Sequence, residues 1–211
     1  MVFGRGGGKS KEHVMNIKIE GTTLLVVKET KFLGIMLDNG LTWKAHASTF
    51  VKELSKSVGI LSRARKFLDN EILRQLYFSF LFPYLSYGNI IWGQSADCTL
   101  NPIFKLQKCA IRIITNTKRR DSTKLSFQKL NILRLPEIYK LAALIFMYHF
   151  KNNLLPSTFK NVYHENSAFH HYPTRHVTEL RIPLTRTKTA STIFKKNWSF
   201  PLEFLLTTDH S

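Results

Sequence analysis

Histidine is the residue type in this sequence that most suggests metal chemistry, because imidazole is a common metal ligand. Four histidines lie close together near the C-terminus: His164, His170, His171 and His176. Metal sites of this kind usually add cysteine or carboxylate ligands at tight spacing, but Cys98 and Cys109 lie far upstream. The spacing therefore favours solvated histidines, and we predict neither a metal nor a cofactor.

Two other patterns, a phosphate-binding loop and a carboxylate site for two metal ions, lack the required residue spacing. The segment GGGKS, from Gly6 to Ser10, lacks the glycine that a phosphate-binding loop needs five positions before Gly8, where Phe3 stands. Polynucleotide chemistry with two metal ions needs clustered carboxylates, and no two acidic residues are adjacent in this sequence. Neither a Ser-His-Asp elbow nor a cysteine nucleophile motif is present. We therefore predict no catalytic residue.

The strongest signal in the composition is positive charge. Lys and Arg total 31 while Asp and Glu total 14, which gives a formal net charge of +17. This excess indicates a polyanionic partner, with nucleic acid first and an anionic membrane surface second. The sequence shows no signal peptide and no run of the roughly 20 apolar residues that span a bilayer. We expect a nuclear or cytoplasmic protein that is not secreted and has no membrane span.

The apolar periodicity predicts an α+β fold that is predominantly α. Alternation from Met15 to Leu37 predicts a small three-stranded β meander. A helical period then runs from Trp43 to Leu68, and either Asp69 or Asn70 can cap a second helix that ends at Pro83.

Two later prolines predict the starts of further helices. Asn101 reads as an N-cap with Pro102 as the first helical residue, and Pro136 opens another helix. Beyond Pro156 the chain is polar, basic and interrupted by proline, which predicts an irregular tail. We therefore expect a β meander at 1–40, a helical domain at 41–160 and a basic C-terminal tail at 161–211.

Cations form stripes opposite the apolar faces of two predicted helices. The first stripe contains Lys52, Lys56, Arg63 and Lys66, and the second contains Lys105, Lys108, Arg112 and Arg119. A third cluster, Lys118, Arg119 and Arg120, lies in the segment TKRRD. Most charged stripes are solvated helix surface, but the net charge favours phosphate contacts, which position a duplex without reading its sequence.

Several segments, in the same order, resemble the C-terminal part of non-LTR retrotransposon reverse transcriptases of the jockey-like LINE group. They are KFLGIMLDNGLTWKAH, GILSRARKFL, LYFSFLFPYLSYGNIIWG, LQKCAIRIITN and YKLAALIFMYHFKNNLLP. On this resemblance the KFLG strand corresponds to the primer-grip hairpin at the end of the palm, and the following helix begins the thumb. Phe32, Leu33 and Gly34 would then contact the primer strand, and the first cation stripe would face the duplex.

The resemblance also implies what this chain lacks. The family's catalytic Tyr-x-Asp-Asp turn lies upstream of all the matching segments, so we expect a truncated fragment that is inactive as a polymerase by itself. Its expected partners are RNA or an RNA–DNA duplex and an upstream polymerase half. Two alternatives stay open: a poorly folded relic of a mobile element without activity, and association with a membrane surface through the basic tail.

Overall fold

The computed structural model describes residues 18–23 and 27–159. Its elements in chain order are β1 (Lys18–Ile19), β2 (Thr22–Thr23), β3 (Glu29–Phe32), β4 (Ile35–Asp38), α1 (Lys44–Ala64), α2 (Asn70–Phe80), α3 (Phe82–Ser86), α4 (Asn89–Trp92), α5 (Asp97–Thr115), α6 (Lys124–Lys129), α7 (Leu135–Lys151) and a 3₁₀ helix (Ser157–Phe159). The predicted α+β, mainly α fold is confirmed. The histidine cluster, the GGGKS segment and the tail at 161–211 lie outside the described residues.

The described strands form two separate antiparallel hairpins, β1–β2 and β3–β4, where the sequence predicted one three-stranded meander. Each hairpin closes through two residues with positive φ: Glu20 (49°) and Gly21 (79°) in the first, Leu33 (45°) and Gly34 (80°) in the second. Such turns match the twist of a two-stranded ribbon. Each described strand pair is therefore completed by its own tight turn.

Helix α1 has the inward face that the period predicted. Phe50, Leu54, Val58 and Leu61 are all buried, and the helix packs most extensively on α5. The helix ends at Ala64 instead of continuing to Leu68. Apolar residues of α2 and α5 complete this core: Leu73, Tyr77, Ile103, Ile111 and Ile114.

Two prolines do not lie at the helix boundaries that the sequence predicted. Pro102 lies inside α5, which begins at Asp97, so Asn101 is not its N-cap. A proline removes one backbone donor, and near the N-terminal end this leaves the later hydrogen bonds of the helix intact. Pro83 does not end α2 but lies in the first turn of α3, a position that proline favours. Of the two N-caps that the sequence allowed, the structure uses Asp69, whose carboxylate accepts a hydrogen bond from the Ile72 N–H at 2.9 Å, and Asn70 is the first helical residue.

Contacts divide the chain into two compact units. Of the described residues, the first unit contains those within 1–88 and 95–135, and the second contains those within 89–94 and 136–159. In the described part of the second unit, Trp92 is buried and burial raises the pKa of Tyr139 to about 12. Phe146 and Phe159 meet edge to face at 5.7 Å. The cation stripes and the β3–β4 hairpin belong to the first unit.

A buried glutamine joins three parts of the first unit. The Gln107 side chain is 1% exposed, and its Nε2 donates to the Tyr77 hydroxyl and to the Leu133 carbonyl, each at 2.9 Å. Its Oε1 accepts from the Leu135 N–H, also at 2.9 Å. Burial raises the pKa of Tyr77 to about 12, and the bond from Gln107 partly opposes this rise. The amide thus ties α5 to α2 and to the segment that enters α7.

We expect Gln107→Leu to lower the free energy of unfolding by about 2 kcal/mol or more, because it leaves buried polar partners unsatisfied. Urea unfolding followed by circular dichroism measures this loss. Gln75→Leu, on the exposed side of α2, is the matched control and should change stability by less than about 0.5 kcal/mol. Equal effects of the two substitutions would contradict the role assigned to Gln107.

Candidate functional site

The turn of the β3–β4 hairpin presents apolar side chains to solvent. Phe32 is 62% exposed and Leu33 is 72% exposed. Tyr87 anchors this turn, since its hydroxyl donates a hydrogen bond to the Leu33 carbonyl at 2.6 Å. A Cβ on Gly34 would lie 3.5 Å from the Tyr87 ring, and the φ of +80° favours glycine there. Phe32, Leu33 and Gly34 therefore form a fixed apolar tip, which we call the hairpin tip.

The Asp38 carboxylate connects this hairpin to α1. Its Oδ2 accepts from the Thr42 N–H at 2.8 Å and from the Thr42 hydroxyl at 2.9 Å, and its Oδ1 accepts from the Trp43 N–H at 2.9 Å. The first turn of α1 has no acidic residue of its own, so Asp38 supplies the negative charge that a helix N-terminus favours. Burial tends to raise the pKa of this carboxyl, but the bonds from Thr42 and Trp43 outweigh that effect and lower it.

His46 makes a second connection between the same elements. The ring is 1% exposed, lies 4.1 Å from the Phe50 ring, and accepts a hydrogen bond from the Met36 N–H at Nδ1, at 3.3 Å. Burial lowers the pKa of His46. The neutral ring therefore fits this position, because a protonated Nδ1 could not accept the Met36 N–H.

The outward face of α1 carries the first predicted cation stripe. Lys52, Lys56 and Arg63 are exposed on the helix, and Lys66 is exposed in the turn that follows it. Lys56 forms an ion pair with Glu53 at 2.9 Å, but such exposed pairs contribute little to the stability of the fold. Among the described residues, the other three cations have no ion pair within 4.0 Å. We call these four residues the α1 stripe.

The second stripe is less available than the sequence predicted. Lys105 is exposed on α5, but Lys108 lies over the Phe104 ring with Nζ 4.1 Å from its centroid. Arg112 is half-buried and donates from Nη2 to the Asp121 carbonyl at 3.2 Å. These two side chains have intramolecular partners, so any phosphate would have to compete with those contacts.

The third cluster lies on a closed turn after α5. The Asp121 N–H donates to the Lys118 carbonyl at 3.1 Å, and the Asp121 Oδ2 accepts from the Lys118 N–H at 3.0 Å. Lys118, Arg119 and Arg120 are exposed. The turn therefore displays three consecutive cations whose backbone is held by the following aspartate.

The structure brings Phe32, Leu33 and Gly34 together at one tip. It places Lys52, Lys56 and Arg63 on one face of α1 and Lys66 in the turn that follows. Sequence reasoning missed Asp38, His46 and Tyr87, which position these features. The Asp-Asn-Gly sequence at Asp38 signalled a turn, but not a cap for α1. Tyr87 is separated from Leu33 by 54 residues, and no local sequence pattern predicts such a contact.

Two kinds of site find no support in the described part of the chain. Residues 18–23 and 27–159 hold no group of three or more histidine, cysteine or acidic side chains that could bind a metal. No helix in these ranges has both the length and the apolar character required to cross a membrane.

Asp38→Asn should lower the free energy of unfolding by about 1–3 kcal/mol, because the amide replaces one acceptor with a donor that faces backbone N–H groups. Because the folded-state pKa of Asp38 is lowered, its contribution is present above pH 3.8 and is lost as the pH falls through the folded-state pKa. Urea unfolding at pH 7 and below pH 3.8 tests both statements. Asp69→Asn is the control, because asparagine is an equally good N-cap; a similar loss in both variants would refute the special role of Asp38.

His46 should make stability fall as the pH drops below its ordinary pKa of 6.5. The unfolded chain then binds a proton before the folded chain does, so stability is full above 6.5 and declines toward the lower folded-state pKa. His46→Asn keeps an acceptor near the Nδ1 position and should flatten this part of the pH profile. His149→Asn, which removes a histidine from α7, should leave the decline in place. Urea midpoints between pH 7.5 and 5 measure the difference.

Comparison with known proteins gives one similarity. The chain is 31% identical over 90 residues to a Drosophila melanogaster protein named "Probable RNA-directed DNA polymerase from transposon X-element". The aligned residues are 40% of this chain and 10% of that protein, so the chain matches about a tenth of its relative. No family model and no solved structure matches the chain significantly. This similarity supports a relationship to a transposon reverse transcriptase.

Proposed function

We propose that this chain binds RNA or an RNA–DNA duplex, as a thumb-like segment from the C-terminal part of a non-LTR reverse transcriptase. It contacts phosphates without reading sequence and performs no polymerisation by itself. The catalytic carboxylates would belong to an upstream polymerase half. The similarity to a transposon RNA-directed DNA polymerase supports a nucleic-acid partner for the basic surface.

The α1 stripe is the observation that carries this proposal. From Lys52 to Arg63 it extends about 16 Å at the helical rise of about 1.5 Å per residue. A DNA duplex carries one charge per about 1.7 Å of its axis, so a stripe of this length can face several phosphates. Two small residues, Ser55 and Gly59, lie between the cations on this face. A Cβ on Gly59 would meet no atom within 4 Å, which leaves the face open to a backbone.

The hairpin tip supplies a different kind of contact. Phe32 and Leu33 are apolar, and their exposure to water does not stabilise the fold. Aromatic and apolar side chains can pack on bases or sugars at the end of a strand irrespective of sequence. The Tyr87 bond to Leu33 fixes the tip before binding, so little ordering cost remains. We assign the tip to the primer strand and the α1 stripe to the duplex behind it.

We expect the variant with Lys52, Lys56, Arg63 and Lys66 all replaced by Gln to bind an RNA–DNA hybrid more weakly. The slope of log affinity against log salt should shrink by up to about 0.9 for each lost phosphate contact. Fluorescence anisotropy with a labelled hybrid, titrated between 50 and about 200 mM salt, measures both quantities.

A matched control separates position from total charge. Replacing Lys18, Lys28, Lys129 and Lys151 with Gln removes the same charge from exposed positions elsewhere, and should leave most of the affinity. If both variants lose affinity equally, net charge alone explains binding. If neither loses it, the α1 stripe is not the interface. Duplex DNA and heparin titrated in parallel show whether a hybrid is preferred.

A further inference from the structure

The connection between α5 and α6 combines cations with a hydroxyl at a defined spacing. Arg119 and Arg120 come three and two residues before Ser122. All three side chains are exposed, and the connection lies outside the helices on either side. Protein kinases that select substrates by charge hold arginines in these positions with carboxylates, which form strong paired hydrogen bonds to a guanidinium.

The other hydroxyls of the connection are less accessible. Thr123 is 7% exposed. Thr117 is half-buried, with its hydroxyl 3.2 Å from that of Thr115. Ser122 accepts a hydrogen bond from the Lys124 N–H only at 3.4 Å. Ser122 is therefore the hydroxyl of this connection that a kinase can reach with the least disturbance of the fold.

We propose that Ser122 is a phosphorylation site for an arginine-directed serine/threonine kinase. The serine hydroxyl attacks the γ-phosphorus of ATP, the bond to the ADP oxygen breaks, and the hydroxyl proton passes to the kinase base. An extended substrate requires the turn at Lys118–Asp121 to open. Opening it breaks the two bonds between Lys118 and Asp121 and can break the bond from Arg112 to the Asp121 carbonyl. Lys118 and Asp121 are exposed, and hydrogen bonds that water can replace are weak in net terms.

Phosphorylation would change the charge of the third cation cluster. A phosphate adds about two negative charges at neutral pH and pairs readily with arginine. It would stand among Lys118, Arg119, Arg120 and Lys124, all exposed. This consequence rests on the proposed function, because it matters only if these cations contact nucleic acid. The modified chain would then bind a duplex more weakly and with a smaller salt dependence.

The modification is tested on the full chain with magnesium-ATP and the catalytic subunit of cyclic-AMP-dependent protein kinase as probe. Intact mass and fragment mass spectra should show phosphate on Ser122. Ser122→Ala should lose it, and replacement of Arg119 and Arg120 by Gln should slow its incorporation at least about tenfold. Replacing Lys124 and Lys129 by Gln is the charge-matched control and should have little effect. Phosphate only at other hydroxyls, or equal rates in both double variants, would overturn the assignment.

The binding consequence is measured separately, by titrating an RNA–DNA hybrid with the unmodified and the Ser122-phosphorylated chain. We expect the phosphorylated chain to bind several-fold more weakly at low salt. Equal affinities would overturn the regulatory consequence while the modification stands. Failure of the unmodified chain to bind would count against the proposed function. The mass spectra would still show whether Ser122 is phosphorylated.

Discussion

The Asp38 carboxylate is the contact on which the geometry of the proposed interface depends. It ends β4 and holds the backbone of Thr42 and Trp43 at the start of α1. Leu41 and Trp43 both have positive φ, 49° and 63°, a conformation that is costly for residues other than glycine and persists only where surrounding bonds impose it. The hairpin tip and the α1 stripe therefore keep a fixed relationship within the first unit.

Helix α1 contributes to the core and to the candidate interface with opposite faces. Leu54 and Leu61 are fully buried, while Lys52 and Arg63 project outward from the same helix. The spacing of these two cations is consequently set by helix geometry and by the core. The turn at 118–121 is different, because the backbone that carries its cations depends on two hydrogen bonds between the exposed residues Lys118 and Asp121. One cation set is rigid, and the other is held by bonds that water can replace.

Local patterns predicted the features that are local in origin. The inward face of α1 follows from its period, and Asp69 caps α2 because its side chain reaches the N–H of Ile72. Proline misled the prediction at Pro102, where a helix already begun tolerates it. The bond from Tyr87 to Leu33 and the node at Gln107 join residues far apart in sequence, so no window could show them. The contact of Lys108 with Phe104 has helical i, i+4 spacing and was foreseeable, since long cationic side chains often cover neighbouring rings.

The sequence separations of the contacts around the hairpin have a consequence for the order of folding. Asp38 reaches Thr42 and Trp43 across four and five residues, and Met36 reaches His46 across ten. Tyr87 and Leu33 are 54 residues apart. Closing a longer loop costs more chain entropy. The bonds of Asp38 to Thr42 and Trp43 can therefore form early, whereas the bond from Tyr87 to the hairpin tip requires α3 to be in place. We therefore expect a nascent chain to form the contacts that direct its hairpin before the contact that fixes the hairpin tip.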